Sequence, residues 1–129
     1  MKKITWVIII TILLFAIVIS EQIFVDNCLN TLDAKIDAIY TTVLAQENVD
    51  AENVIKLNDD IDVFWTENEK ILCLFINHND LNKVGEEIKR MKVFASQNNK
   101  EDFLNELEVL KFYVQSYRHV MEINIQNLL

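Results

Sequence analysis

The chain has no proline and a single glycine, Gly85. Sheet proteins need turn residues between strands, so this scarcity argues against a β fold. Proline breaks helix interiors, and its absence fits long uninterrupted helices. One glycine also leaves little room for loops that cradle phosphates, and no serine-centred nucleophile elbow or paired-carboxylate arrangement can be read. The only histidines are His78 and His119, and neither has a histidine or cysteine at ligand spacing. A zinc site needs three or four such groups converging. Charge is absent from Ile4 to Ser20, and acidic residues are absent before Glu21.

What is present is acidic and helical. All 20 acidic residues lie from Glu21 onward; Lys2 and Lys3 precede it, leaving ten of the 12 basic residues and a net charge of −10 beyond the apolar segment. Such a surface repels phosphate backbones and anionic lipid head groups, so neither nucleic acid nor peripheral lipid binding is expected. Its plain reading is solubility. The 129 residues hold one domain, with the first twenty spent elsewhere.

Ile4 to Ser20 is 17 uncharged residues. As a helix it spans roughly 25 Å, at the short end of what a bilayer of about 30 Å requires. Trp6 sits near the cytoplasmic edge and Phe24 just past the outer one, where aromatic side chains favour the interface. Lys2 and Lys3 hold the N-terminus inside, and no basic residue follows until Lys35. That asymmetry places the C-terminal part outside. The competing reading is a cleaved signal peptide ending at Val18-Ile19-Ser20, but its small-residue signature is poor and its apolar core isoleucine-rich. A retained single-pass anchor over residues 1–20, followed by an extracytoplasmic domain over 21–129 at the cell membrane, is therefore expected. Cys28 follows Val25-Asp26-Asn27, which lacks the small residues of a lipobox.

Beyond the anchor, apolar residues recur at spacings of three and four, as in bundles and coiled coils. The first run is Leu29, Leu32, Ile36, Ile39, Val43, continuing from the membrane to about Gln46. The second is Val54, Leu57, Ile61, Phe64, Asn68, Ile71, Phe75, and the third Leu81, Val84, Ile88, Met91, Phe94. The fourth is Phe103, Leu107, Leu110, Val114, Tyr117, Met121, Ile125, Leu128. Asp50, Asp80 and Asn99 are the expected N-caps of the last three helices, with Asp102 a capping-box partner for Asn99. Short connections force neighbours antiparallel, so the expected fold is all-α: a transmembrane helix followed by an up-and-down bundle of three to four helices. The run Ile71-Leu72-Cys73-Leu74-Phe75-Ile76 reads as a buried helix rather than a strand, and with Trp65 as the densest part of the core.

Several residues invite a chemical reading. Asn58, Asp60, Asp62 and Glu69 match positions one, three, five and twelve of a calcium loop, but Val63 stands where that loop needs glycine. A solvated acidic helix face is expected instead. His78 is expected to end a helix and interact with its dipole. Asn68, on the core stripe, is expected to specify register. Cys28 and Cys73 are a borderline fit to a disulfide, with two separate buried thiols favoured, and no histidine is placed in sequence to make either a nucleophile. No catalytic, cofactor or metal residues are assigned, and an enzyme is not expected.

Trp65, then Leu72 and Phe75, then His78 with Asp80-Leu81, resembles a domain-of-unknown-function family of small membrane-anchored helical proteins from Gram-positive, clostridia-like bacteria. Leu107-Glu108-Val109-Leu110-Lys111 and the ending Asn124-Ile125-Gln126-Asn127-Leu128-Leu129 are similar too. The resemblance covers residues 60 to 129, and the first helix only by pattern. It implies topology and helical fold but no activity. It also implies a partner in the same membrane, a small polytopic protein encoded nearby. Two functions remain open. The first is an anchored interaction or structural module that binds a membrane partner; the alternative is a sensory or ligand-binding bundle acting through a partner. No small-molecule substrate is evident.

Overall fold

A computed structural model describes the backbone of residues 1–128 and the side chains through Ile123. It consists of four helices, α1 (Lys2–Leu44), α2 (Glu52–Leu72), α3 (His78–Ser96) and α4 (Lys100–Leu128). Among the described residues there is no strand. Each helix packs on two others, closing a ring in the order α1, α2, α3, α4. Short connections make consecutive helices antiparallel, so the chain forms the expected up-and-down bundle. Helix α1 runs unbroken through Ser20 and Glu21, about 65 Å in all at roughly 1.5 Å per residue.

The core lies along the axis of the ring. Helix α1 buries Leu29, Leu32, Ile36, Ile39 and Val43, as its spacing predicts, and Val25 and Cys28 as well. Helix α4 buries Phe103, Leu107, Leu110 and Val114, with Tyr117 and Met121 half-buried. Ile125 and Leu128 lie outside the described side chains. Helix α2 departs from expectation. Its buried stripe is Val54, Asn58, Ile61, Trp65, Leu72, with Leu57 and Phe64 only flanking it. Both stripes obey three-four spacing from Val54; the rotation that wins brings the Trp65 indole inward, 3% exposed.

The one glycine has its explanation here. A Cβ on Gly85 would stand 3.2 Å from Trp65 Nε1, tighter than an ordinary contact. A bare backbone at that point lets α3 close onto the indole ring.

Two expected caps are replaced. Ala51, not Asp50, is the N-cap of α2, and no side chain caps it. Asn77, not Asp80, caps α3, its Oδ1 accepting from Asn79 N–H at 2.9 Å, while Asp80 sits in the first turn. For α4 the expectation holds: Asn99 Oδ1 accepts from Asp102 N–H at 3.2 Å, and Asn99 Nδ2 donates to Asp102 Oδ2 at 2.6 Å. Helix α3 ends in a Schellman turn, with Asn98 at φ 51° in the place glycine usually takes.

The apolar run 71–76 is not a buried helix. Helix α2 stops at Leu72, and the chain turns through Cys73, Leu74 and Phe75. Leu72 is buried and Ile76 half-buried, but Ile71, Cys73, Leu74 and Phe75 are exposed. Tyr117 O–H donates to the Asp80 carbonyl at 3.0 Å, tying the start of α3 to α4 beside this turn.

Ion pairs stitch neighbouring helices: Lys35–Asp60 joins α1 to α2, Lys92–Asp59 joins α3 to α2, and Lys111–Asp37 and Arg118–Asp33 join α4 to α1. These exposed or half-exposed pairs set register more than they add stability.

Trp65→Ala should destabilise the fold by roughly 3–5 kcal/mol, the cost of deleting a buried aromatic ring. Gly85→Leu should cost about 1–3 kcal/mol by overpacking against that ring, despite leucine's better helix propensity. Denaturant melts of both variants check this; unchanged midpoints would mean that α3 does not close on the indole.

Candidate functional site

The two ends of the bundle differ in chemistry. At one end lie the connections 45–51 and 97–99, which are polar and interlocked. Asn98 Oδ1 accepts from Val49 N–H at 2.9 Å, Asn98 Nδ2 donates to Asn48 Oδ1 at 3.1 Å, and Lys100 Nζ donates to the Gln46 carbonyl. At the other end the close of α2 and the turn after it expose Ile71, Leu74 and Phe75. Ile71 and Phe75 share a shallow apolar groove with Leu13, Ile17 and Phe24. Leu74 is 75% exposed, and Val120 and Ile123 of α4 are also exposed.

Helix α1 carries the chain's most apolar stretch. It is one helix long and apolar enough to cross a membrane, and none of that apolar window is buried in the fold. A signal sequence has the same composition.

The interior holds an unexpected polar group. Glu87 of α3 is buried, and Arg90 Nη1 donates to its Oε1 at 3.5 Å. Glu87 Oε2 has no partner. Burial, then the neighbouring Glu106 carboxylate, push the Glu87 carboxyl up to about 7 against the opposing pull of Arg90. A proton held there supplies the O–H donor that the Glu87–Glu106 pair otherwise lacks. Asn58, 1% exposed, also has both side-chain polar atoms unpartnered. Neither residue was assigned to the core from the sequence, although Asn58 lies four residues after Val54 and three before Ile61, and Glu87 three after Val84 and four before Met91.

The residues of the calcium template lie in continuous helix, with Asn58 facing inward and Asp60 paired to Lys35. They form no loop: by helical spacing Asn58, Asp62 and Glu69 fall on one side of α2, and Asp60 on the opposite, exposed side. Cys28 is buried, with Sγ 3.5 Å from Asn68 Oδ1, and burial raises its thiol pKa. Asn68 thus lies beside the core stripe rather than on it, donating to the Phe64 carbonyl at 2.8 Å. Cys73 is exposed, not buried, and unpaired with Cys28. His78 begins α3 rather than ending a helix, and its Nδ1 stands 3.6 Å from Cys73 Sγ. The turn therefore brings together a thiol and an imidazole that the linear spacing of five did not single out. His119 is exposed on α4 and takes no part. Among the described residues, no three histidine, cysteine or carboxylate side chains are grouped to hold a metal ion.

Fold and surface together define a class, antiparallel four-helix bundles whose first helix extends into a long apolar segment. The model of the DUF4363 family, a domain of unknown function, matches residues 19–128, and the chain belongs to that family. No match was found among curated proteins or among solved structures.

The buried Glu87 carboxyl makes stability depend on pH. Its pKa lies above the ordinary 4.5, at about 7, so the stability it confers is complete below pH 4.5 and lost as pH rises through about 7. The loss should be on the order of 1–3 kcal/mol. Glu87→Gln should flatten the fall in melting temperature between pH 5 and 8; an unchanged pH profile would show that Glu87 is ionised throughout.

Proposed function

We propose that this protein is a single-pass, membrane-anchored interaction module whose bundle lies on the outer face of the cell membrane and holds a protein partner in that membrane. It acts by contact rather than by chemistry. The observation that carries this reading is the state of α1: its apolar window is left unburied by the fold, while from Val25 onward the same helix is consumed by the core. An apolar helix of that length is stable in a bilayer, where its backbone is satisfied internally and its side chains face acyl chains. Lys2 and Lys3 before it, with no cation until Lys35, favour the N-terminus inside. Confinement to the membrane plane raises the effective concentration of the bundle for neighbours there.

The outward face of α4 offers a contact for such a neighbour. Phe112 is 65% exposed, with Val109 exposed one turn before it. Glu108 and Glu101 share that side of the helix by spacing, and neither pairs with a cation among the described residues. An exposed aromatic flanked by unpaired carboxylates suits a partner surface that is apolar at its centre and basic at its rim.

Crosslinking in intact cells tests this. A photoreactive side chain in place of Phe112 should trap one specific membrane protein, and Glu101→Lys with Glu108→Lys should lower the yield severalfold, as added salt does. Trapping only a second copy of this chain, together with thermal stabilisation of the purified protein by a small metabolite, would overturn the reading in favour of a sensory bundle.

A further inference from the structure

The three connections of the bundle are unequal in a way that bundle packing does not require. The two far from the apolar segment of α1 are polar and hydrogen-bonded to each other through Asn98, Val49 and Asn48. The one near that segment, residues 73–77, is apolar where it is most exposed. Exposed apolar side chains in water are normal when scattered. Here Ile71, Leu74 and Phe75 are gathered on one turn, with Val120 and Ile123 of α4 exposed at the same end. They are also continuous with the apolar surface of α1, since Ile71 and Phe75 line one groove with Leu13 and Ile17.

Resting on the reading of α1 as a membrane anchor, we infer that the turn Ile71–Phe75 is a second membrane contact, seated at the boundary between head groups and acyl chains of the outer leaflet. Depth agrees with this. The groove that Ile71 and Phe75 share with α1 runs from Leu13 through Ser20 and Glu21 to Phe24, from about 10 Å below the level of Ser20 to about 6 Å above it. That span includes the depth at which interfacial apolar faces settle. An aromatic ring such as Phe75 is favoured there.

The attraction is hydrophobic rather than electrostatic. Near the turn, Lys70 is outnumbered by Glu67, Glu69 and Asp80, so anionic head groups gain nothing from it. The occupant is therefore the bilayer itself, not a particular acidic lipid. Two points of attachment would also stop the bundle from rotating about α1 and present one fixed side of α4 to neighbours.

The full chain in phosphatidylcholine vesicles provides the test, because Cys73 already lies in the turn. With Cys28→Ala, a polarity-sensitive fluorophore on Cys73 is the single label, and circular dichroism confirms that the labelled protein is helical. A matching probe at Asn48→Cys, in a chain also carrying Cys28→Ala and Cys73→Ala, reports the far end. The Cys73 probe should be blue-shifted and quenched severalfold more than the Asn48→Cys probe by lipids brominated near the head group, at low and high salt alike. Leu74→Asp with Phe75→Asp should abolish that difference. Equal quenching of both probes by aqueous iodide would overturn the inference, as would shielding of Cys73 from lipid and iodide alike, which would mean that protein covers the turn. A probe at Phe15→Cys in the same cysteine-free background separates the two failures. If it is protected while Cys73 is not, only the second contact is lost; if it too is open to iodide, the anchor fails and this contact with it.

Discussion

Helix α1 joins two unlike surfaces along one rod. Its first half is apolar on every side and buries nothing within the fold; its second half buries a stripe from Val25 to Val43. No glycine or proline separates the halves, so there is no flexible joint between them. The direction of the bundle is thereby coupled to the direction of its apolar segment. Everything else in the bundle is placed relative to that rod: α2 and α4 pack on it directly, and α3 closes the ring opposite.

Within the ring, apolar stripes supply the cohesion and polar contacts choose among the packings those stripes allow. Four helices of three-four spacing can slide or rotate past one another at modest cost. Lys35–Asp60, Lys92–Asp59 and Arg118–Asp33 oppose sliding, and the Trp65–Gly85 contact opposes rotation of α2 against α3. Glu87 and Asn58 lie in the same interior with unpartnered polar atoms, which costs stability. Burial and the neighbouring Glu106 carboxylate favour the protonated form of Glu87, which links that cost to pH.

The ends of the bundle divide the labour of the proposed function. The far end is tied off by Asn98, Asn48 and Lys100, in a set of hydrogen bonds suited to water. The near end exposes Ile71, Leu74 and Phe75, with Ile71 and Phe75 beside the apolar part of α1, and Tyr117 holds the following helix in place. Between them, the outward face of α4 presents Phe112 and Val109 to whatever lies alongside. The common property of these surfaces is orientation with respect to one axis.

What residue order alone determines is whatever depends on neighbours along the chain. Absence of proline, near-absence of glycine and three-four spacing dictate helices, because helical hydrogen bonds close within four residues. The apolar run from Ile4 to Ser20 is legible for the same reason, as are the stripes of α1 and α4, where one apolar face has no rival. Choices between equivalent local solutions were not legible. Leu57 and Phe64, or Asn58 and Trp65, both continue a helical stripe from Val54, and the packed bundle, in which Trp65 meets Gly85 on α3, takes the second. The run 71–76 is apolar enough for a core helix, yet α2 ends at Leu72 because Asn77 caps the next helix and the chain must reverse. Burial of Glu87 and the meeting of Cys73 with His78 likewise arise from contacts between elements or across a turn. Periodicity states that a face exists; only the packed neighbours decide which face it is.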